Sequence, residues 1–125
     1  MEPKFYHCKL CGKVITFLAD ADTPTVCCGE EMELLTANTV DAAKEKHVPE
    51  IKIEGNKVVV QVGSVLHPMA PEHYIQFIFL LTANGGRIKW LKPGEEPKAV
   101  FDVTDDKVIA VYEFCNLHGL WKAAV

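Results

Sequence analysis

The C-terminal two thirds of the chain is built of short runs rich in β-branched and aromatic residues, separated by turn-forming positions. Residues 51–54 and 57–62 flank Gly55-Asn56, a dipeptide able to take the positive φ of a two-residue hairpin. Residues 74–83 and 87–91 flank Asn84-Gly85-Gly86, a second hairpin signal. A third pair, 99–103 and 108–114, surrounds Thr104-Asp105-Asp106-Lys107. Six or seven short strands with regular turns predict an antiparallel β-sandwich of immunoglobulin-like topology. Periodicity leaves the strand order open.

The first 36 residues read differently. Candidate strands at 4–8, 14–18 and 32–35 are separated by turns carrying Gly12 and Gly29. A unit this small rarely holds together by apolar burial, because below about 40 residues a metal, disulfides or association is usually required. Residues 37–49 form a connection with one helical turn, expected to begin after Asp41 as its N-cap and to stop before Pro49. The prediction is a mainly β chain of two domains, 1–36 and 37–125.

Composition narrows the class. With 49% hydrophobic and 24% charged residues the chain suits a globular fold and not a disordered one. Its longest apolar stretch, residues 74–83, is about half of what a membrane span needs. The N-terminal residues have no apolar core of the signal-peptide kind, so a cytoplasmic protein is expected. A formal charge of −4 argues against bulk nucleic-acid binding, and requires that an anionic substrate be drawn in by a local patch.

Four of the five cysteines lie in the first 28 residues, whereas four of the five histidines and the last cysteine lie after residue 46. Two sites in two modules follow from that partition. Cys8-Lys9-Leu10-Cys11-Gly12 is a knuckle whose two thiolates can turn toward one metal, and Cys27-Cys28-Gly29 completes a four-sulfur set. Adjacent cysteines imply distorted tetrahedral geometry. Soft thiolates select zinc or iron, so a structural zinc ribbon and a redox iron both stand at this point. A vicinal disulfide is disfavoured by its strain and by a reducing compartment.

The second set is His47, His67, His73, Cys115 and His118, each at a predicted loop or strand end. Any one alone is ordinary, but Pro49, Pro68 and Pro71 stiffen the backbone beside three of the histidines, and C-x-x-H brings Cys115 and His118 within reach of one metal. Four imidazoles and one thiolate exceed the four ligands of zinc and leave one octahedral position open. This donor set points to iron, with the thiolate pushing electron density toward whatever binds opposite. Backbone amides of Leu117 and His118 are close enough in sequence to donate to the sulfur and temper that push.

In this order, Cys8-x-x-Cys11, Cys27-Cys28, Lys-Glu-Lys-His47-Val-Pro, Val-Leu-His67-Pro-Met, His73 and Cys115-Asn-Leu-His118-Gly resemble the desulfoferrodoxins, the two-iron class of superoxide reductases, over almost the whole chain. The resemblance implies a desulforedoxin-like (rubredoxin-like) domain with an Fe(Cys)4 centre at Cys8, Cys11, Cys27 and Cys28. It further implies a β-sandwich domain with an Fe(His)4(Cys) centre, with His47, His67, His73 and His118 equatorial and Cys115 axial. It gives Glu45 and Lys46 roles on a mobile loop, the first as a labile sixth ligand and the second as an attractor of superoxide; on the residues alone, they are a solvated surface pair. Also implied are one-electron reduction of superoxide to hydrogen peroxide, a rubredoxin-like electron donor and a homodimer.

The competing readings are a non-enzymatic iron electron-transfer protein, a zinc-ribbon adaptor with incidental histidines, and a superoxide dismutase. His7 is read as an exposed neighbour of Cys8, and Trp90 and Trp121 as core or interface anchors.

Overall fold

The computed structural model describes residues 2–125 and falls into two compact units, Met1–Thr36 and Ala37–Val125. In the first, β1 (Phe5–His7) pairs antiparallel with β2 (Val14–Thr16) and β5 (Glu33–Leu34), giving the sheet order β2-β1-β5. A separate two-stranded ribbon joins β3 (Val26–Cys27) to β4 (Glu30–Glu31). Its turn residues, Cys28 and Gly29, both take positive φ, +55° and +78°, as the tightest hairpins require. Few apolar side chains are buried here, chiefly Phe5 and Met32, so the unit lacks a core of its own size.

The second unit is a three-on-four sandwich. One sheet has the order β10 (Lys98–Asp102), β7 (Lys57–Val62), β6 (Pro49–Glu54), and the other β12 (Gly119–Ala124), β11 (Val108–Cys115), β8 (Ile75–Thr82), β9 (Gly85–Trp90), with every pairing antiparallel. That is an immunoglobulin-like arrangement. Val58, Val60 and Val62 on one face of β7 are fully buried against Ile78, Leu80 and Val111, as period-two alternation demands. Cys115 belongs to the same apolar cluster.

Several expectations are corrected. Residues 99–103 and 108–114 are not a hairpin: β10 pairs with β7, and β11 lies between β8 and β12. The connection crosses from one sheet to the other, fastened by Val103 N–H to the Asn56 carbonyl (2.7 Å) and Ala83 N–H to the Lys107 carbonyl (2.8 Å). Crossing lets Ala99 and Phe101 face Val111 across the core instead of beside it. Gly85 and Gly86 lie within β9, leaving Ala83-Asn84 as the turn. Strand β12 follows the C-x-x-H motif, where the sequence pattern had suggested none. The helical turn α1 spans Lys44–His47 with Ala43 at its N-cap and no side-chain cap, so Asp41 does not cap it. Trp121 is a core residue, whereas Trp90 is 80% exposed.

Candidate metal centres

Two loops of the first unit carry the four-sulfur set. The β1–β2 turn is closed by Cys8 N–H to Lys13 and Gly12 N–H to Cys8, each 2.9 Å, which presents Cys8 and Cys11; the β3–β4 ribbon presents Cys27 and Cys28. All four sulfurs lie within 4.8 Å of one another. Cys11 Sγ is 3.6 Å from Cys27 Sγ, and Cys27 Sγ is 3.9 Å from Cys28 Sγ. Sulfurs about 2.3 Å from a tetrahedral metal stand about 3.8 Å apart, so the spacing fits a metal and excludes a vicinal disulfide. Amide donation, first from Cys11, lowers the Cys8 thiol to about 7, while the neighbouring sulfurs, Cys11 foremost, push Cys28 up to about 12. Such a cluster cannot ionise fully without a cation to compensate it. Cys11 and Cys28 are exposed, and Cys8 is buried.

In the second unit the four imidazoles close into a ring, in the order His47, His67, His73, His118. Successive ring centroids are 4.7, 4.7, 5.1 and 4.9 Å apart, counting the return to His47, and each pair meets edge to face. His47 ends α1, His67 follows β7, His73 precedes β8, and Cys115 and His118 bracket the β11–β12 turn. The Nδ1–H of His47 donates to the Ala43 carbonyl and that of His67 to the Pro68 carbonyl, both at 2.7 Å. Those bonds fix the tautomer, so the two Nε2 lone pairs face each other across 3.2 Å. Facing lone pairs repel unless a cation lies between them. His118 enters through Nδ1, 3.1 Å from His47 Nε2 and 3.9 Å from Cys115 Sγ. His73 Nε2 is buried and has no hydrogen-bond partner among the described residues. Nitrogens about 2.1 Å from a metal in a square plane are about 3 Å apart, matching these separations.

Burial holds His47 and His73 below the ordinary histidine value and His67 at about 4, so these imidazoles are neutral near pH 7 and available as ligands. Cys115, fully buried, is raised by that burial, and the amides of Leu117 and His118 act against the rise. The donor set would hold a metal through four imidazole nitrogens and the Cys115 sulfur, all within 4.8 Å of one another.

A cavity of about 310 Å³ opens over the imidazoles, lined by Ala42, Ala43, Lys46, His47, His67, Pro68, His73 and His118. Lys46, exposed, is one of these lining residues. Glu45 is exposed and its side chain does not line the cavity; its carbonyl accepts Val65 N–H (2.9 Å) and the Ser64 hydroxyl (3.2 Å). His7 lies in β1, half-buried, and is not among the gathered donors.

Some neighbours of the site carried no sequence signal strong enough to single them out. Trp121 stacks on His47, and Gly63 lies against the backbone of α1. Glu113, two residues before Cys115, is wholly buried, with neither carboxyl oxygen hydrogen-bonded among the described residues, and burial holds it well above the carboxylate range.

Comparison with known proteins places this geometry in a lineage. The desulfoferrodoxin family model matches residues 39–124, and the model of the desulfoferrodoxin N-terminal domain matches residues 2–35. A desulfoferrodoxin from Desulfarculus baarsii is 50% identical over 119 residues, covering 94% of this chain and 93% of that one. The crystal structure of the superoxide reductase from Treponema pallidum superposes with a TM-score of 0.83 at 42% identity, covering 98% of this chain and 99% of that one. The one-iron superoxide reductase from Giardia intestinalis superposes with a TM-score of 0.54 at 37% identity, over 66% of this chain and 98% of that one. Two donor clusters of the expected composition on matching folds, with both family models spanning nearly the whole sequence, establish that the chain belongs to the desulfoferrodoxin family.

Proposed function

We propose that the chain is a superoxide reductase, converting superoxide, one electron and two protons into hydrogen peroxide. The observation that carries this reading is the ring of four imidazoles beside a buried thiol, under a cavity that Lys46 helps to line. Its cofactors are two iron ions, one at Cys8, Cys11, Cys27 and Cys28 and one at His47, His67, His73, His118 and Cys115. Iron held at the second site by the four histidines and Cys115 would supply the electron.

The protein's own groups do the rest. Lys46 places an ammonium at the opening and attracts the superoxide anion against the repulsion of a chain of net charge −4. Water ordered by Lys46 would supply the two protons that product formation consumes. Amide donation from Leu117 and His118 restrains the electron push of the Cys115 sulfur. Glu45, one residue from Lys46, would serve as a labile further ligand to that iron through a movement of its exposed side chain.

A rubredoxin-like protein is proposed to return the electron, with the Cys11 and Cys28 edge of the first centre as a relay; the exposure of these two sulfurs supports it. Five cysteines given to metal ligation, with none in a disulfide among the described residues, favour a reducing, cytoplasmic compartment. No helix is long and apolar enough to cross a membrane among the described residues. A homodimer is proposed as well, supported by Trp90 and Ile88 standing exposed on the edge strand β9.

Anaerobic pulses of superoxide delivered to the reduced, iron-loaded protein test the reading. Peroxide formed without oxygen, with one iron oxidised per superoxide consumed, is the expected result. Oxygen evolved in proportion to peroxide would make the protein a dismutase, and an inert histidine centre would make it an electron carrier.

A further inference from the structure

His73 differs from the other histidines of the ring. His47 and His67 are each oriented by an Nδ1–H bond to a backbone carbonyl, and the carbonyl of His118 is held by Trp121 Nε1–H at 3.1 Å. Among the described residues His73 Nε2 has no hydrogen-bond partner, so the placement of the ring depends on its edge contacts with His67 and His118 and on the backbone that carries it. That backbone is a short loop outside the sheets, closed on itself by the Ala70–His73 bridge.

Asn116 spans the gap between this loop and Cys115. It directly follows Cys115, where the β8–β11 ladder ends in a register shift between Phe114 and Cys115. Its Oδ1 accepts Tyr74 N–H at 2.9 Å, its Nδ2–H donates to the Glu72 carbonyl at 3.0 Å, and its own backbone N–H donates to the Tyr74 carbonyl at 3.2 Å. Two of these bonds come from one planar amide and grip the residues on either side of His73. Only a primary amide offers a donor and an acceptor side by side, in the pattern of a strand partner. A serine is too short to reach both, and an aspartate keeps the acceptor while setting a carboxylate oxygen against the Glu72 carbonyl.

We propose that Asn116 is a positioning residue of the histidine–cysteine centre, a clamp that holds His73 in register with Cys115. It does not touch the metal or the substrate. Without its side-chain amide the loop retains its internal bridge, the backbone N–H of residue 116 on the Tyr74 carbonyl and the Gly94 N–H on the Met69 carbonyl, none of which holds the Glu72 side of the histidine, and His73 becomes the loosest ligand of the five. The inference rests on the assignment of this centre as a metal site.

Cobalt(II) titration of the full-length, metal-free chain tests it. Cobalt in the four-sulfur and the histidine–cysteine centres absorbs differently, so each is followed separately and the first serves as an internal control. Wild type is expected to take up two cobalt ions. Asn116→Ala should bind about ten- to hundred-fold more weakly at the histidine centre, with its sulfur-to-cobalt band displaced and the four-sulfur centre unchanged. Asn116→Asp should fall between the two. Val58→Ala, which destabilises the far part of the same core, should keep wild-type affinity. Wild-type affinity and bands in Asn116→Ala, or equal weakening in Val58→Ala, would overturn the clamp. Should Asn116→Ala not fold, wild-type affinity in Asn116→Asp would overturn it equally. A wild-type chain that takes cobalt only at the sulfurs would overturn the centre itself, and the clamp with it.

Discussion

The indole of Trp121 lies against the imidazole of His47, with centroids 4.9 Å apart and planes inclined by 30°. The same indole donates to the His118 carbonyl, so one core side chain braces two neighbouring ligands of the ring. Trp121→Ala is expected to destabilise the fold by about 3–5 kcal/mol in denaturant unfolding and to lower the iron content of the histidine centre. Trp121→Phe keeps an aromatic face and should retain that iron. Full iron occupancy in Trp121→Ala protein would reduce Trp121 to a packing residue.

Gly63 is tied to the position of Lys46. A methyl group there would stand 2.6 Å from the Glu45 carbonyl oxygen and 3.0 Å from that of Val48, both backbone atoms. Gly63→Ala must therefore push α1 outward, at a cost of about 1–3 kcal/mol in stability. Its reaction with superoxide should be slower than wild type at low salt, and stopped-flow or pulse-radiolysis rates check this.

Lys46→Ala removes the cation at the cavity mouth. The second-order rate with superoxide should fall roughly tenfold at low ionic strength and become less sensitive to salt. A rate and salt dependence equal to wild type would return Lys46 to the solvated surface.

Cys115→Ser replaces the buried sulfur with a poorer donor. The sulfur-to-iron absorption of the histidine centre should disappear while that of the four-cysteine centre persists. Survival of the band in iron-loaded mutant protein would remove Cys115 from the ligand set.

Asp106 ties the sheet crossover to the β8–β9 turn, accepting Lys107 N–H at 2.8 Å and Asn84 N–H at 3.2 Å. The Thr82 hydroxyl first, then these amides, holds its carboxyl below the ordinary aspartate value of 3.8. An acid lowered on folding contributes stability above its unfolded value, and that contribution is lost as pH falls through the folded value. Protection of the Asn84 and Lys107 amides from hydrogen exchange should accordingly hold at pH 5 and fade below the ordinary aspartate range. Asp106→Ala should lack this protection at both.

Much of the site was legible because its chemistry lies in residue types. The C-x-x-C and C-x-x-H spacings, the adjacent cysteines and the histidines beside prolines identify donors by what they are. Their distances then follow from turns that the glycines and prolines mark. The residues that hold the ligands were not legible, because asparagine, tryptophan and glycine are common everywhere and reveal a role only through what they touch.

By itself the sequence determined the β class, the division near residue 36, both donor sets and the place of Lys46 beside a ligand, since alternation, turn chemistry and ligand type are local properties of the chain. Tertiary structure alone decided that 99–103 and 108–114 lie in opposite sheets, that β12 closes the larger one, and that Trp121 is buried while Trp90 is exposed. It also decided that Asn116 grips the loop of a histidine more than 40 residues away in the chain. Those outcomes depend on which faces meet across the core, and alternation says that a face is apolar without saying what covers it.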